Sequence, residues 1–200
     1  MSRGNRRTAI FKEYSDYIHF LKLAEMIREK HPYKIHSICL MTNHFHMLIE
    51  TIDTELWKIM QKLLSVYAEE FNHRYNDSGH LFEGRYTSSL IEDDRYFLEV
   101  SRYIHLNPVK AMMVREPITY EYSSYGLFVS DEKESSRSKV QELMSSLVDV
   151  SRVLDAFRHN PREQYRMFVE GKISHAEQEL LIQKDMKEDD MWLPWGERGA

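Results

Sequence analysis

The strongest constraint on the fold lies between Pro32 and Glu50. Tyr33 to Met41 alternates in polarity and is rich in β-forming residues, among them Tyr33, Ile35 and Ile38. Thr42-Asn43 reads as a tight turn, and His44 to Glu50 returns with Phe45, Met47 and Ile49 on one face. A period of two on both sides of a two-residue turn predicts a β-hairpin. It puts His44 and His46 at the start of the second arm, on the face opposite Phe45. Two imidazoles projecting side by side suit one divalent cation, with Phe45 packed into the core behind them.

The flanking sequence has helical periodicity. Tyr14 to His31 carries Tyr14, Tyr17, Ile18, Leu21, Ala24 and Ile27 on one face and is stopped by Pro32. Asp53 or Thr54 is placed to cap a helix bearing Leu56, Trp57, Met60, Leu63, Leu64, Tyr67 and Phe71. Asn76-Asp77-Ser78-Gly79 is a loop, and Leu81 to Ile91 reads as a strand weakened by Gly84. Asp93 or Asp94 caps a further helix with Phe97, Val100, Tyr103 and Ile104 on its apolar face. Tyr103 and Asn107, four apart, share a face of that helix. Pro108 should close it and leave Asn107 as its frayed last residue. This order of elements predicts an α+β fold, an antiparallel sheet with helices on one face.

Past residue 126 the character changes. Residues 127–138 form a linker whose polar, charged core is Ser130 to Ser138, and 139–200 form a C-terminal helical extension. Val140–Phe168 and Ile173–Met186 read as helical, with Pro161 opening one of the helices. Met191-Trp192-Leu193-Pro194-Trp195 is an apolar patch in an acidic end.

Composition narrows the function by exclusion. With 42% hydrophobic and 30% charged residues, 200 residues supply an ordinary globular core. The lone Cys39 excludes a disulfide framework and a cysteine zinc site, and its apolar neighbours mark it as a small buried hydrophobe. No apolar run approaches the roughly 18 residues of a membrane span, and no secretory segment follows the start, so the expected location is cytoplasmic. The net charge of −5 does not suggest a nucleic-acid partner. Yet residues 1–126 hold 16 basic against 17 acidic side chains, whereas 127–200 hold 11 against 15. The excess acid is in the tail, and the front part clusters its arginines (Arg3, Arg6 and Arg7, then Arg74, Arg85, Arg95 and Arg102), which can form a local phosphate-binding face.

Three stretches in order then become informative together. Met41-Thr42-Asn43-His44-Phe45-His46-Met47-Leu48-Ile49 resembles the histidine–hydrophobe–histidine strand of the single-tyrosine HUH transposases. Ser78 to Tyr86, and Arg102 to Ala111 with Tyr103 and Asn107 inside it, are similar to two further signatures of that family. They are closest to the branch called REP-associated tyrosine transposases, whose opening Met1-Ser2-Arg3-Gly4-Asn5 also resembles. The likeness covers residues 1–126. It implies a ferredoxin-like fold, action on single-stranded or hairpin DNA, a homodimer, and magnesium or manganese as cofactor. It further implies that His44 and His46 are metal ligands, that Tyr103 is the nucleophile, and that Asn107 completes the metal site. In the family the arginine–glycine–asparagine segment ends a first β-strand; this chain begins inside it, so a truncated first strand is expected.

The chemistry implied is strand transfer. A phenol with a pKa near 10 is a poor nucleophile at neutral pH, and a divalent cation helps by polarising the scissile phosphate. Attack by Tyr103 would leave a 5′-phosphotyrosine and a free 3′ hydroxyl. Imidazole ligands are soft for magnesium and match manganese better. Arg3, Arg6, Arg7, Arg85, Arg95 and Arg102 are candidate DNA contacts, and Tyr86 is a candidate for stacking on bases. Two other readings fit the same residues: a domesticated protein that holds hairpin DNA without cutting it, and a metal-dependent phosphodiester hydrolase in which Tyr103 is structural.

Overall fold

A computed structural model of the chain describes residues 1–130 and 137–171. The hairpin forms where the alternation placed it. β2 (Tyr33–Met41) and β3 (His44–Thr51) pair antiparallel from Met41↔His44 to Tyr33↔Thr51, with one irregularity between Ile35 and Ser37. β1 (Ser2–Arg3) pairs antiparallel with the other side of β3, through Ser2↔Phe45 and Arg3↔His44, so β3 is the central strand. The histidine-bearing strand is therefore held on both edges.

The helices cover both sides of this sheet. α1 (Tyr14–Lys30) and α2 (Leu56–Tyr75) pack on the Phe45 side, where Phe20 and Phe45 meet at 4.8 Å between ring centroids. Glu13 caps α1, and the buried Asp16 ties its start to the end of α2. Its carboxylate accepts from the Lys12 and Glu13 amides, the Tyr75 hydroxyl and the Arg74 guanidinium. Arg74 is thereby spent on structure. α3 (Asp94–Lys110) lies on the opposite face, because His46, adjacent to Phe45, contacts Tyr103 of that helix. The α+β class and antiparallel sheet are those expected; α1 and α2 take the predicted face, and α3 adds a layer on the other.

Three local expectations are corrected. Leu81–Ile91 is not a strand. It runs beside the amino-terminal segment through the bonds Asn5 N–H to Leu81 O, Glu83 N–H to Arg3 O and Thr87 N–H to Met1 O, with one bridge at Gly4↔Phe82. Two residues separate the first two bonds on each side, but four residues from Glu83 to Thr87 face two from Met1 to Arg3. The slack around Gly84 breaks the ladder. Pro108 does not close α3, which continues to Lys110 with Asn107 helical and buried. The proline lacks the amide that would bond the Ile104 carbonyl, but Ala111 N–H to Asn107 O and Met113 N–H to Pro108 O carry the chain through the last turn. The cap of α2 is Glu55, one residue past the expected Thr54, and its side chain makes no capping bond. Asp93 does cap α3, its carboxylate accepting from the Tyr96 amide at 2.7 Å.

Residues 139–169 belong to the same compact unit as the front of the chain, which runs from Met1 to Val169. α4 (Tyr125–Val129) is helical and buried where the linker was expected to begin, and 131–136 lie outside the described residues. α5 (Lys139–Leu147) packs on α1, where the Arg28 guanidinium donates to the Ser146 and Leu147 carbonyls. After the short α6 (Ser151–Leu154), Pro161 opens α7 (Pro161–Glu170), as its position in the sequence suggested. The expected helix Ile173–Met186 and the patch Met191–Trp195 lie outside the described residues. No helix among the described residues is long and apolar enough to cross a membrane.

Candidate active site

β3 and α3 bring the predicted residues together. The rings of His44 and His46 stand 5.1 Å apart between centroids, and the His46 and Tyr103 rings 5.4 Å apart, each pair nearly perpendicular. The alternation of β3 supplies the histidines, and the register of α3 on the sheet supplies the tyrosine. One helical turn on, the Asn107 side-chain amide donates to the Tyr103 carbonyl at 2.9 Å. That bond spends its nitrogen and leaves Oδ1 as the atom for a cation.

Both histidines are held neutral. Burial, reinforced by the Arg3 guanidinium, lowers the His44 pKa to about 4. His46 is held well below the usual histidine range by burial first and then by the charge it would share with His44. Asn43 orients His44: the imidazole Nδ1–H donates to Asn43 Oδ1 at 2.7 Å, which turns Nε2 outward as the acceptor nitrogen. The same amide donates through Nδ2 to the Arg7 carbonyl, and the Asn43 carbonyl accepts from Gly4 N–H. Asn43 is thus a site residue that the sequence reading left as a turn former. Among the described residues no group of three His, Cys, Asp or Glu side chains is placed to hold a metal. The fitting donor set is two imidazoles and an amide oxygen, a set that accepts manganese more readily than magnesium.

Lys110 is a second residue the sequence reading missed. Its ammonium lies 4.3 Å from the centroid of the Tyr103 ring, over the phenol face. The spacing 103, 107, 110 on one helix face was the available signal, hidden by the expectation that Pro108 ended the helix.

The candidate DNA contacts divide. Arg3 lies in β1 opposite His44, and Arg6 and Arg7 are exposed in a 3-10 turn (Asn5–Arg7) with left-handed φ of 51° and 59°. Arg85 is exposed on the run beside β1, and Arg95 is exposed in the first turn of α3, about 12 Å along the helix axis from Tyr103. Arg102 is corrected. It is 5% exposed, with its guanidinium 4.9 Å from the Phe168 ring centroid and 3.8 Å from Glu99, so it packs α7 onto α3 rather than meeting phosphate. Tyr86 is half-buried against the core rather than an open stacking platform. His105 of α3 is fully buried.

Comparison with known proteins gives the chain's relatives. A family model described as "Transposase IS200 like" matches residues 1–107. A Haemophilus influenzae protein described as a REP-associated tyrosine transposase is 27% identical over 124 residues, covering 56% of this chain and 70% of its own length. A solved structure of a REP-associated tyrosine transposase bound to a REP hairpin superposes with a TM-score of 0.54 at 15% identity, over 68% of this chain and 86% of that one. The last likeness is one of fold.

Proposed function

Because the chain belongs to the IS200-like transposase family, we propose that it cleaves and rejoins single-stranded or hairpin DNA by transesterification at Tyr103. The observation that carries this reading is the meeting of the His44–His46 pair with Tyr103, with Asn107 and Lys110 on the same face of α3. Hairpin DNA is favoured as the substrate because the solved relative was captured on a REP hairpin.

In the reaction the Tyr103 hydroxyl attacks the scissile phosphorus. The bond from phosphorus to the 3′ oxygen breaks, and the phenol proton passes to that oxygen, leaving a 3′ hydroxyl and a 5′-phosphotyrosine. Reversal by another 3′ hydroxyl joins strands. The ester keeps the bond energy, so no nucleotide cofactor is consumed. His44, His46 and the Asn107 amide oxygen would hold magnesium or manganese, which when bound polarises the phosphate and offsets charge in the in-line displacement. Asn43 keeps the His44 tautomer that presents Nε2. Lys110 limits the rotation of the phenol from above its ring, and Arg3, Arg6, Arg7 and Arg85 supply guanidinium groups for the strand backbone. Every one of these residues comes from one chain, so each copy in a homodimer carries a full set.

The test is a denaturing gel of the full chain with end-labelled hairpin DNA and manganese, beside Tyr103→Phe and His44→Ala. The expected result is a covalent protein–DNA adduct that both substitutions abolish. DNA bound without an adduct would favour a hairpin-holding protein, and cleavage that survives Tyr103→Phe would favour attack by water.

A further inference from the structure

The face of α3 turned away from the site holds a second polar cluster. Tyr165 of α7 is fully buried, and its hydroxyl lies 2.6 Å from Ser101 Oγ and 2.7 Å from His105 Nδ1. Ser101 Oγ lies 2.7 Å from Ser37 Oγ, and Ser37 donates to the His36 carbonyl. On the other side His105 Nε2 lies 2.9 Å from Ser124 Oγ, which accepts from the Ile38 amide.

One arrangement of protons satisfies every contact. Since Ser37 gives its proton to a carbonyl, Ser101 must donate to Ser37, Tyr165 to Ser101, His105 Nδ1–H to Tyr165, and Ser124 to His105 Nε2. The result is an unbroken one-way chain of hydrogen bonds that starts on the Ile38 amide and ends on the His36 carbonyl, both in β2. Such chains polarise along their length, and a missing member leaves buried groups unpaired. His105 is neutral in it, as burial requires, with a pKa lowered to about 3.

Ser101 and His105 bracket Tyr103 on α3. Resting on the strand-transfer reading above, we infer that Tyr165 is a positioning residue for the Tyr103 nucleophile. It lies beyond the residues matched by the family model, which end at 107. α7 reinforces the tie through Phe168 on Arg102, and is itself fastened by Arg162 and Arg166 donating to the Leu127 and Val129 carbonyls. The C-terminal helix thus sets where the reacting phenol stands relative to His46.

The experiment measures single-turnover adduct formation on saturating hairpin DNA, with hairpin affinity measured separately. It compares the full-length chain with Tyr165→Phe, Ser101→Ala, Tyr33→Phe and Tyr103→Phe. Tyr33→Phe removes a different buried hydroxyl bond, to the Ala24 carbonyl, away from α3. The expected result is a rate lower by about tenfold to a hundredfold in Tyr165→Phe and Ser101→Ala, the scale of a small misplacement of reacting groups, with hairpin affinity unchanged and Tyr33→Phe near wild type. Alanine favours a helix more than serine, so Ser101→Ala keeps the test alive if Tyr165→Phe does not fold. Wild-type rates in the folded chain variants, or an equal loss in Tyr33→Phe, would overturn the inference. An adduct persisting in Tyr103→Phe would instead overturn the reading on which it rests.

Discussion

Two polar clusters flank α3, each built around histidine, and they differ in what they leave open. His105 commits both ring nitrogens, to Tyr165 and Ser124. His44 commits only Nδ1, to Asn43. Burial keeps both neutral, at about 3 and about 4. Neutrality is common to a core histidine and a ligand histidine, so a depressed pKa does not tell them apart; the ligand role proposed for His44 rests on one nitrogen fixed by a neighbour and on the second imidazole beside it.

Exchanging the two roles by mutation gives the sharpest contrast. His46→Ala is expected to abolish manganese binding and lower adduct formation by at least about a thousandfold, the scale of losing a catalytic metal, while thermal unfolding moves little. His105→Ala should spare metal binding instead, its adduct rate falling only as far as that of Tyr165→Phe. It costs about 3 kcal/mol of stability by leaving Tyr165 and Ser124 unpaired, and calorimetric manganese affinity stays as in the wild type. Equal metal loss in both would erase the distinction.

Acid provides the next largest effect. The unfolded chain takes up the His105 proton near pH 6.5 and the folded chain only near 3. The stability associated with this group is therefore complete above pH 6.5 and is lost as pH falls, by about 1.4 kcal/mol per unit, until the folded pKa is reached. His44 adds a like slope down to pH about 4. Urea unfolding between pH 7.5 and 4.5 should show a steep fall that His105→Ala makes shallower and that manganese opposes, since the metal competes for protons at His44 and His46 only. A flat profile in the wild type would contradict the burial of these rings.

Smaller effects refine the open face. Asn43→Ala removes the group that fixes the His44 tautomer and should weaken manganese binding about tenfold to a hundredfold, the usual cost of losing an outer hydrogen-bond partner. The smallest effects separate the arginines. Arg6→Ala should reduce the salt dependence of hairpin binding by about one unit of log–log slope. Arg102→Met should leave it unchanged, because that guanidinium packs against Phe168. A salt effect at Arg102 would return it to the DNA-contacting set.

What could be read from the sequence follows the range of the interactions. The hairpin, its Thr42-Asn43 turn and the shared face of His44 and His46 rest on alternation over a few residues, and they were legible. The run after Leu81 was misread because its partner is the amino-terminal segment, whose spacing does not match it around Gly84. Pro108 misled because a local rule about proline was outweighed by the packing of α3. Tyr165 gave no signal at all: its partners lie 64 and 60 positions away, and a lone tyrosine in a helical extension looks like any other. Asn43 was visible as a turn residue, but its bond to His44 depends on a rotamer that only the folded strand selects.

The placement of β1 has a consequence for the order of assembly. The hairpin closes across a two-residue turn, whereas β1 must find β3 across about forty positions, and the Leu81–Thr87 run must then find β1 across about eighty. Loops of that length form late. A nascent chain would hold the histidine pair early, on a strand with one edge bare. Asn43, which orients His44, is itself held by Gly4 and Arg7, so that orientation is secured only when the amino-terminal segment closes on β3.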